Sequence, residues 1–324
     1  MKDITSQPLL TLEGLTVHRG TAKILDRVSL SVGQGETLAL VGESGAGKST
    51  VATALMRLLD SATVEGTAEL DGEGDLLTLP ERRMVKLRGR RLGMIFQDAG
   101  AALNPAYTVG KQLTTTLRRT LSLTKAEART RAVELFRSVG INDPEGRLSA
   151  YPHQLSGGMQ QRVMVAIALA GNPDLLLADE PTSALDVTIQ AQIVRLILSQ
   201  TRARGASCIF VLHDLALASQ ACDRIVVLYA GQVVESGPAR DVLDNHRHPY
   251  TRQLKSCVLE IGTGEVAAPE GTVPPHSQMP AGCRFATRCP RALPRCWTEA
   301  PPVEPARPGA SGPLDHHFAC WNPE

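Results

Sequence analysis

The stretch that most constrains this chain is Gly42–Thr50, which reads GESGAGKST and matches the pattern G-x-x-x-x-G-K-[ST]. It follows the apolar run Thr37–Val41, which predicts a buried strand, and it leads into the apolar stretch Thr50–Leu59, which predicts a helix. Strand, glycine-rich turn and helix in this order form the context that phosphate binding requires. A glycine-rich turn that merely precedes a helix is the simpler alternative, but it does not explain why every position of the pattern is matched.

We call Gly42–Thr50 the P-loop and expect it to hold a nucleoside triphosphate. Its glycines can adopt conformations closed to other residues, so that successive backbone N–H groups point into one concavity. The helix N-terminus that follows adds partial positive charge near the phosphates. Lys48 is expected to reach the β- and γ-phosphates, and the Ser49 hydroxyl to ligate Mg²⁺. The nucleotide-binding residues predicted in this loop are Gly42, Ser44, Gly45, Gly47, Lys48, Ser49 and Thr50.

The composition sets outer limits on the protein. The 324 residues leave room for one main domain with appendages, and a formal net charge of +1 gives no reason to expect a nucleic-acid partner. The longest apolar run, Val163–Ala170, is far shorter than the ~20 residues that span a bilayer. The start, Met1–Pro8, lacks the basic-then-apolar pattern of a signal peptide. We therefore expect a soluble, intracellular protein that can dock on a membrane partner.

Hydrophobic patterning around the P-loop predicts strands and one basic helix. Apolar and polar residues alternate over Leu9–Val32, as in antiparallel strands with one wet face. Gly66–Gly72 reads as a short strand and turn, and a basic helix is expected to begin near Pro80. The apolar stretch Arg91–Gln97 predicts a buried strand that ends in a glutamine.

The alternation of strands and helices then pauses for a helical block. Thr108 can cap a helix over Val109–Leu121, and Thr124 begins a capping box for a second helix that Gly140 stops. We place an inserted helical subdomain at about 98–158.

Two later stretches, together with the P-loop, resemble a known family. Leu155–Arg162 reads LSGGMQQR, and in Asp174–Thr182 four apolar residues precede Asp179. These motifs resemble the nucleotide-binding subunits of ATP-binding-cassette (ABC) transporters. LSGGMQQR is the most specific of them, because a generic P-loop protein requires neither the motif nor its position before an acidic strand. A helix start capped by Ser156 is the plain structural explanation of this motif on its own.

The resemblance implies an α/β fold, the P-loop NTPase fold of an ABC cassette. Such a cassette has a RecA-like core, an N-terminal antiparallel β subdomain and an inserted helical subdomain. It would span residues 1–255 here. A loop-rich extension that contains cysteines would span 256–324, and we call it the C-terminal extension.

The resemblance also assigns roles to residues at strand ends. Asp179 would join Ser49 and Gln97 around Mg²⁺, and Glu180 would polarise the attacking water as a general base. Gln97 would also link the nucleotide to the helical subdomain. The catalytic residues implied are Glu180, His213 and Gln97. His213 follows the next apolar strand and would hydrogen-bond the γ-phosphate. Considered singly, each of these is more simply a polar residue at the end of a strand.

In this family a nucleotide lies between two cassettes. The signature residues of one cassette, here Ser156, Gly157 and Gly158, contact the γ-phosphate held by the other. Ser183–Asp186 resembles the D-loop that lies across the seam. ATP would join two cassettes and hydrolysis would release them, as for any ligand that binds two states unequally. The implied cofactors are ATP and Mg²⁺, and the implied partner is a second homologous ATPase subunit or a second copy of this chain.

Short motifs narrow the resemblance to the dipeptide, oligopeptide and nickel permease branch. They are GESG in the P-loop, QD followed by LNP and TVG, YPHQ before the signature, and HPYTRQL near the end of the cassette. This branch implies two transmembrane permease subunits, a solute-binding protein outside the cytoplasm that acts indirectly, and a peripheral position on the cytoplasmic face of the cell membrane.

The most direct interpretation is the ATP-hydrolysing subunit of an importer for di- or oligopeptides. Nickel, a sugar oligomer or another small solute stays open as the cargo, because the cassette does not contact cargo in this family. A soluble ABC ATPase of translation or DNA repair is the alternative class. Those proteins usually carry two tandem cassettes or a very long coiled-coil insertion, and this chain has neither.

From Gly262 onward the composition changes, with twelve of the 21 prolines and few periodic apolar residues. Such a segment cannot build a core by hydrophobic burial alone and needs a staple. Four cysteines here have the spacing C-x5-C-x6-C-x23-C, and they are Cys283, Cys289, Cys296 and Cys320. The wide spacing and Pro290 after the second cysteine favour a 4Fe–4S cluster; Zn²⁺ is the alternative, and free thiols or disulfides remain open. Packing roles are expected for the others, Cys208, Cys222 and Cys257.

The family stacks an aromatic side chain on adenine near the end of the first strand, and this chain has none there. The corresponding residues are Val17–Gly20, so the base would stack more weakly on the planar group of Arg19 or His18. We therefore predict loose base discrimination, with GTP competing appreciably in an ATP-binding assay. A strong preference for ATP over GTP in the same assay would contradict this prediction.

Overall fold

A computed structural model describes residues 8–182, 187–256, 272–275, 278–307 and 315–324. These residues form two compact units. The first unit contains Gly33–Glu36 and Leu79–Phe210, and the second contains Pro8–Val32, Thr37–Thr78 and the described part of Val211–Glu324.

The described residues combine strands and helices as in an α/β protein, with a run of helices between β6 and β7. The strands are β1 (Leu10–Arg19), β2 (Ala22–Val32), β3 (Thr37–Val41), β4 (Ala62–Leu70), β5 (Gly74–Asp75), β6 (Leu92–Ile95), β7 (Leu175–Asp179), β8 (Ser207–Leu212), β9 (Arg224–Tyr229), β10 (Gln232–Pro238), β11 (Glu304–Pro305) and β12 (His317–Phe318). The α-helices are α1 (Lys48–Leu55), α2 (Glu81–Leu87), α3 (Ala99–Ala102), α4 (Val109–Leu121), α5 (Lys125–Ser138), α6 (Pro144–Arg147), α7 (Gly157–Ala168), α8 (Val187–Arg204), α9 (Leu215–Ala221), α10 (Ala239–Asp244) and α11 (Pro249–Ser256). Short 3₁₀ helices cover Pro152–Gln154 and Pro294–Trp297.

The N-terminal part of the second unit is an antiparallel sheet in the order β2-β1-β4-β5. Leu12 pairs with Leu30 on one side and with Ala68 on the other, and all three side chains are buried. This confirms the antiparallel strands predicted from the alternation. The predicted strand at Gly66–Gly72 is wrong in its bounds, because β4 runs from Ala62 to Leu70 and pairs with β1 on both sides of an irregularity at Gly66.

The same unit contains a mixed sheet that positions the P-loop. β3 pairs in parallel with β9, and all five of its residues are buried, as its apolar sequence predicts. The helix predicted over Thr50–Leu59 is displaced to Lys48–Leu55. It begins earlier because Gly47, with φ +96°, already ends the loop, and it ends earlier because Arg57 has φ +50°, which interrupts helical geometry.

The C-terminal extension adds strands to this sheet. β10 pairs with β9 and with β12, and β11 pairs with the outer side of β12. Phe285 of the extension is buried against Tyr229 and Tyr250, with ring centroids 5.1 and 5.4 Å apart. The extension thus shares the core of the second unit, a solution that the proline-rich composition did not indicate.

In the first unit, β6 and β7 form a parallel pair. The predicted strand Arg91–Gln97 is too long: β6 ends at Ile95, and the Phe96 N–H donates to Met164 Sδ instead of to a strand. The helical block is confirmed, because the Thr108 side chain caps α4 and Thr124 forms both bonds of its capping box at α5. Gly140 follows α5 with φ +73°.

Candidate active site

The P-loop is packed against strand β9 of the same unit. A Cβ atom at Gly42 would lie 2.2 Å from the Leu228 carbonyl oxygen, so no larger residue fits there. Gly45 and Gly47 have φ values of +81° and +96°, which favour glycine. Gly42 is therefore required for steric reasons, and Gly45 and Gly47 for their backbone conformation. Left-handed backbone of this kind occurs where successive N–H groups point into one concavity.

The Lys48 ammonium group lies over the P-loop backbone. Its Nζ donates hydrogen bonds to the carbonyl oxygens of Gly42, at 2.8 Å, and Glu43, at 3.0 Å. Lys48 is also the first residue of α1, with Gly47 as the N-cap, and Ser49 and Thr50 follow in the first turn. A cation and a helix N-terminus in one place form a suitable site for phosphate.

Two other predicted residues belong to this unit. His213 directly follows β8 and is exposed, and the next residue, Asp214, caps α9 by accepting from the N–H groups of Ala216 and Leu217. Arg19 is the exposed last residue of β1, and His18 beside it is half-buried. An exposed arginine at this strand end can present its planar group to a base.

The first unit brings Gln97 and Glu180 together. Gln97 lies two residues beyond β6, and its Nε2 donates to Glu180 Oε2 at 3.0 Å. Asp179, the last residue of β7, is buried. Glu180 has φ +40°, a conformation that non-glycine residues rarely adopt and that often marks a functional position.

The Gln97–Glu180 hydrogen bond leaves the amide oxygen of Gln97 available for a metal ion. It uses the amide nitrogen of Gln97, whereas the amide oxygen is the atom that ligates Mg²⁺. One glutamine side chain is therefore able to hold the carboxylate of Glu180 and a metal ion at the same time.

The signature motif forms the N-terminus of helix α7. Ser156 is the N-cap, and its side-chain oxygen accepts from the Met159 N–H at 3.4 Å. Ser156 and Gly157 are exposed, and Gly158 is half-buried. The residues of this motif thus present a helix N-terminus to the outside of the first unit, where it is able to receive an anion.

The predicted site residues are divided between the two units. The P-loop, Arg19 and His213 belong to the second unit, and Gln97, Ser156–Gly158, Asp179 and Glu180 belong to the first. The predicted D-loop, Ser183–Asp186, lies outside the described residues.

Comparison with known proteins decides the family. The family "ABC transporter" matches residues 25–183, and the family "Oligopeptide/dipeptide transporter, C-terminal region" matches residues 234–296. A dipeptide transport ATP-binding protein of Haemophilus influenzae is 46% identical over 89% of this chain and 89% of its own length. The oligopeptide transport ATP-binding protein AppD of Bacillus subtilis is 45% identical over 86% of each chain. The chain belongs to the ATP-binding subunits of dipeptide and oligopeptide ABC transporters.

Structural similarity agrees with this family. A dimeric structure of the ATP-binding cassette MJ0796, in a post-hydrolysis state with ADP and Pi, matches with a TM-score of 0.63 and 30% identity, over 71% of this chain and 99% of that chain. The predictions of a P-loop NTPase cassette and of an ABC-type ATPase are thereby confirmed. Among the described residues of this family member, no helix is both long and apolar enough to cross a membrane.

The cysteines of this ABC subunit divide into two groups. Cys208 and Cys222 are buried packing residues, as predicted, and Cys257 lies outside the described residues. Burial, together with the nearby thiols of Cys289, Cys296 and Cys320, raises the pKa of Cys283 to about 11. No disulfide occurs among the described residues, and no three of their His, Cys, Asp or Glu side chains form a group that could hold a metal ion.

Sequence reasoning missed two residues that contact the P-loop. Arg288 forms an ion pair with Glu43, and the Tyr250 hydroxyl accepts from the Glu43 N–H. Tyr250 lies in the HPYTRQL motif that indicated the branch, but no local pattern indicates which residue it contacts.

We predict that Glu180→Gln retains ATP binding, because the amide has the same size as the carboxylate and can still bond to Gln97. Turnover should fall by roughly 10²–10⁴-fold, the contribution of a positioned general base. The variant should also accumulate a closed dimer with ATP, which gel filtration detects. Glu145→Gln, on the exposed surface of α6, is the matched control and should behave as wild type. Wild-type turnover in Glu180→Gln would remove Glu180 from this role.

Proposed function

We propose that this chain is the ATP-hydrolysing subunit of a membrane importer for di- or oligopeptides. The observation that carries the proposal is the 46% identity, over 89% of both chains, to a protein named as a dipeptide transport ATP-binding protein. The match of residues 234–296 to the oligopeptide/dipeptide C-terminal region supports the same cargo.

ATP would be enclosed at a seam between two such subunits. The P-loop of one subunit would bind the phosphates through Gly42, Ser44, Gly45, Gly47, Lys48, Ser49 and Thr50. Ser156, Gly157 and Gly158 of the other subunit would cover the γ-phosphate. The exposed helix N-terminus at Ser156 supports this arrangement, and so does the dimeric form of the similar cassette MJ0796. ATP then favours the joined state, and hydrolysis removes the ligand that favours it.

Hydrolysis would use the residues at the strand ends. Asp179, Ser49 and Gln97 would hold Mg²⁺, which neutralises charge on the phosphates. Glu180 would accept a proton from the attacking water, and its contact with Gln97 supports a role for Gln97 in orienting it. His213 would donate a hydrogen bond to the γ-phosphate.

The partners would be two transmembrane permease subunits and a second ATPase subunit, either a sister protein or another copy. The described part of the first unit exposes three large aromatic side chains, Phe96 (40%), Tyr107 (53%) and Tyr151 (39%). Exposed aromatic residues are typical of protein interfaces, and we propose that these hold the permease. The subunit would then lie peripherally on the cytoplasmic face of the membrane, with the solute-binding protein acting only through the permease.

We further propose that Cys283, Cys289, Cys296 and Cys320 ligate a 4Fe–4S cluster, with Zn²⁺ as the alternative. Each sulfur accepts a backbone N–H: Cys283 from Phe285, Cys289 from Arg291, Cys296 from Leu293 at 3.4 Å, and Cys320 from Asn322 at 3.4 Å. Each bond favours the thiolate, but burial outweighs it and raises the pKa of Cys283, Cys289 and Cys320. Soft sulfur ligands suit iron–sulfur clusters and zinc. The proposal therefore rests on the number, type and spacing of the cysteines, since no three of the described His, Cys, Asp or Glu side chains form a group that could hold a metal ion.

Peptide import is tested by deleting the gene from its source organism and measuring uptake of a labelled dipeptide and of nickel. Dipeptide uptake should be lost and then restored by the wild-type gene, but not by Lys48→Ala, which removes the phosphate-binding cation. Two permease subunits should co-purify with the tagged wild-type chain. Unchanged dipeptide uptake with lost nickel uptake would mean that nickel is the cargo. Unchanged uptake of both would contradict the proposal that the chain serves such an importer.

The cluster is tested by anaerobic purification of the full chain. We expect a brown protein with absorbance at about 400 nm and about four iron atoms per chain. Cys289→Ser should lose most of the iron, because the cluster loses a ligand, whereas Cys222→Ser, at a packing cysteine, should keep it. Stoichiometric zinc without iron would reverse our order of the two metals.

A further inference from the structure

Glu43, the second residue of the P-loop, is held by the C-terminal extension. Arg288 Nη1 donates to Glu43 Oε2 at 2.9 Å, and Arg288 Nη2 donates to Glu43 Oε1 at 3.1 Å. These parallel bonds form a bidentate pair, the strongest geometry available between arginine and a carboxylate. The two residues are 245 positions apart in the chain, so the contact depends wholly on the tertiary fold.

Arg288 is fixed by its surroundings as well as by its partner. Its side chain is only 4% exposed, compared with 22% for that of Glu43. The guanidinium carbon lies 5.7 Å from the Tyr229 ring centroid and 5.9 Å from that of Phe285. Nη1 also donates to the Tyr229 hydroxyl at 3.4 Å. A buried planar group that lies near two aromatic rings has little freedom, so it can position the residue it binds.

Tyr250 holds the backbone of the same glutamate. Its hydroxyl oxygen accepts from the Glu43 N–H at 2.8 Å. The Tyr250 ring packs on Tyr229, with centroids 4.6 Å apart, and is fully buried. Glu43 is therefore gripped at its side chain by Arg288 and at its backbone by Tyr250.

The carbonyl oxygen of Glu43 passes this constraint to the rest of the P-loop. It accepts from Lys48 Nζ at 3.0 Å and from the Ala46 N–H at 3.1 Å. Fixing Glu43 thus fixes both the turn of the loop and the cation that is expected to bind phosphate. Glu43 thus connects Arg288 to Lys48 through hydrogen bonds.

We propose that Arg288 and Tyr250 are positioning residues for nucleotide binding, which hold Glu43 and so keep the P-loop in its phosphate-binding form. The extension thereby contributes to the nucleotide affinity of the cassette without touching the nucleotide. The proposal rests on the proposed role of the P-loop, and it adds the residues that set the loop's shape.

The test measures equilibrium binding of ATP and of ADP to the full chain by calorimetry, for Arg288→Met, Tyr250→Phe and Glu43→Gln. Each variant should weaken both nucleotides by a similar factor, roughly two- to thirtyfold, because the loop holds phosphates that both share. KM for ATP should rise with little change in kcat. Arg288→Met combined with Glu43→Gln should be no weaker than the worse single variant, since both remove the same interaction.

Arg291→Met is the matched control, because Arg291 is an arginine of the same extension, three residues after Arg288. Its guanidinium instead contacts Asn322 and Pro323 within the extension. It should leave nucleotide affinity unchanged, which excludes general damage to the extension as the cause. Metal content measured on all variants should match wild type.

Two results would overturn the proposal. One is unchanged ATP and ADP affinity in both Tyr250→Phe and Glu43→Gln. The first variant removes the hydroxyl that accepts from the residue 43 N–H, and the second removes the carboxylate that pairs with Arg288. The other is additive weakening in the double variant, which would mean that Arg288 and Glu43 act separately. Lys48→Ala separates this from failure of the proposed function: if it binds ATP as wild type does, the P-loop itself has been misassigned.

Discussion

The P-loop lies where several stretches of backbone approach one another to van der Waals contact. Gly42 lies against the Leu228 carbonyl, and a Cβ atom at Gly231 would meet the Ile24 carbonyl oxygen at 2.0 Å. The Gly231 N–H also donates to the Ala46 carbonyl at 2.9 Å. The loop is thus built into the junction of β2, β9 and β10. These close backbone contacts restrict the conformation of the loop.

The C-terminal extension is part of the same core. A chain segment rich in proline cannot bury enough apolar surface by itself, so Phe285 of the extension packs against Tyr229 and Tyr250. The buried Glu235 carboxylate ties the two parts further, because it accepts from His316 Nε2 at 2.7 Å and from the N–H groups of Arg247 and His248. Burial lowers the pKa of His248 to about 4, so this imidazole is neutral at pH 7, and its Nδ1 accepts from the Tyr250 N–H.

The sequence by itself determined the features that depend on neighbouring residues. The P-loop, the caps at Thr108 and Thr124, and the buried strands that end near Asp179 and His213 are all local patterns. Their periodicity and hydrogen-bonding chemistry lie within about a dozen residues, so they can be read without knowledge of the fold. The signature motif added the family, which comparison confirmed.

Only the tertiary structure decided which distant residues meet. Nothing in the sequence joins Glu43 to Arg288, since a contact across hundreds of residues leaves no periodic trace. The family motifs placed Gln97 and Glu180 in one site, but only the structure showed the hydrogen bond between them. The limits of α1, β4 and β6 were also set from outside, by the left-handed Gly47, by pairing with β1 and by pairing with β7. Local propensity favours a helix or a strand, but the segments that pair with it or pack against it determine where it ends.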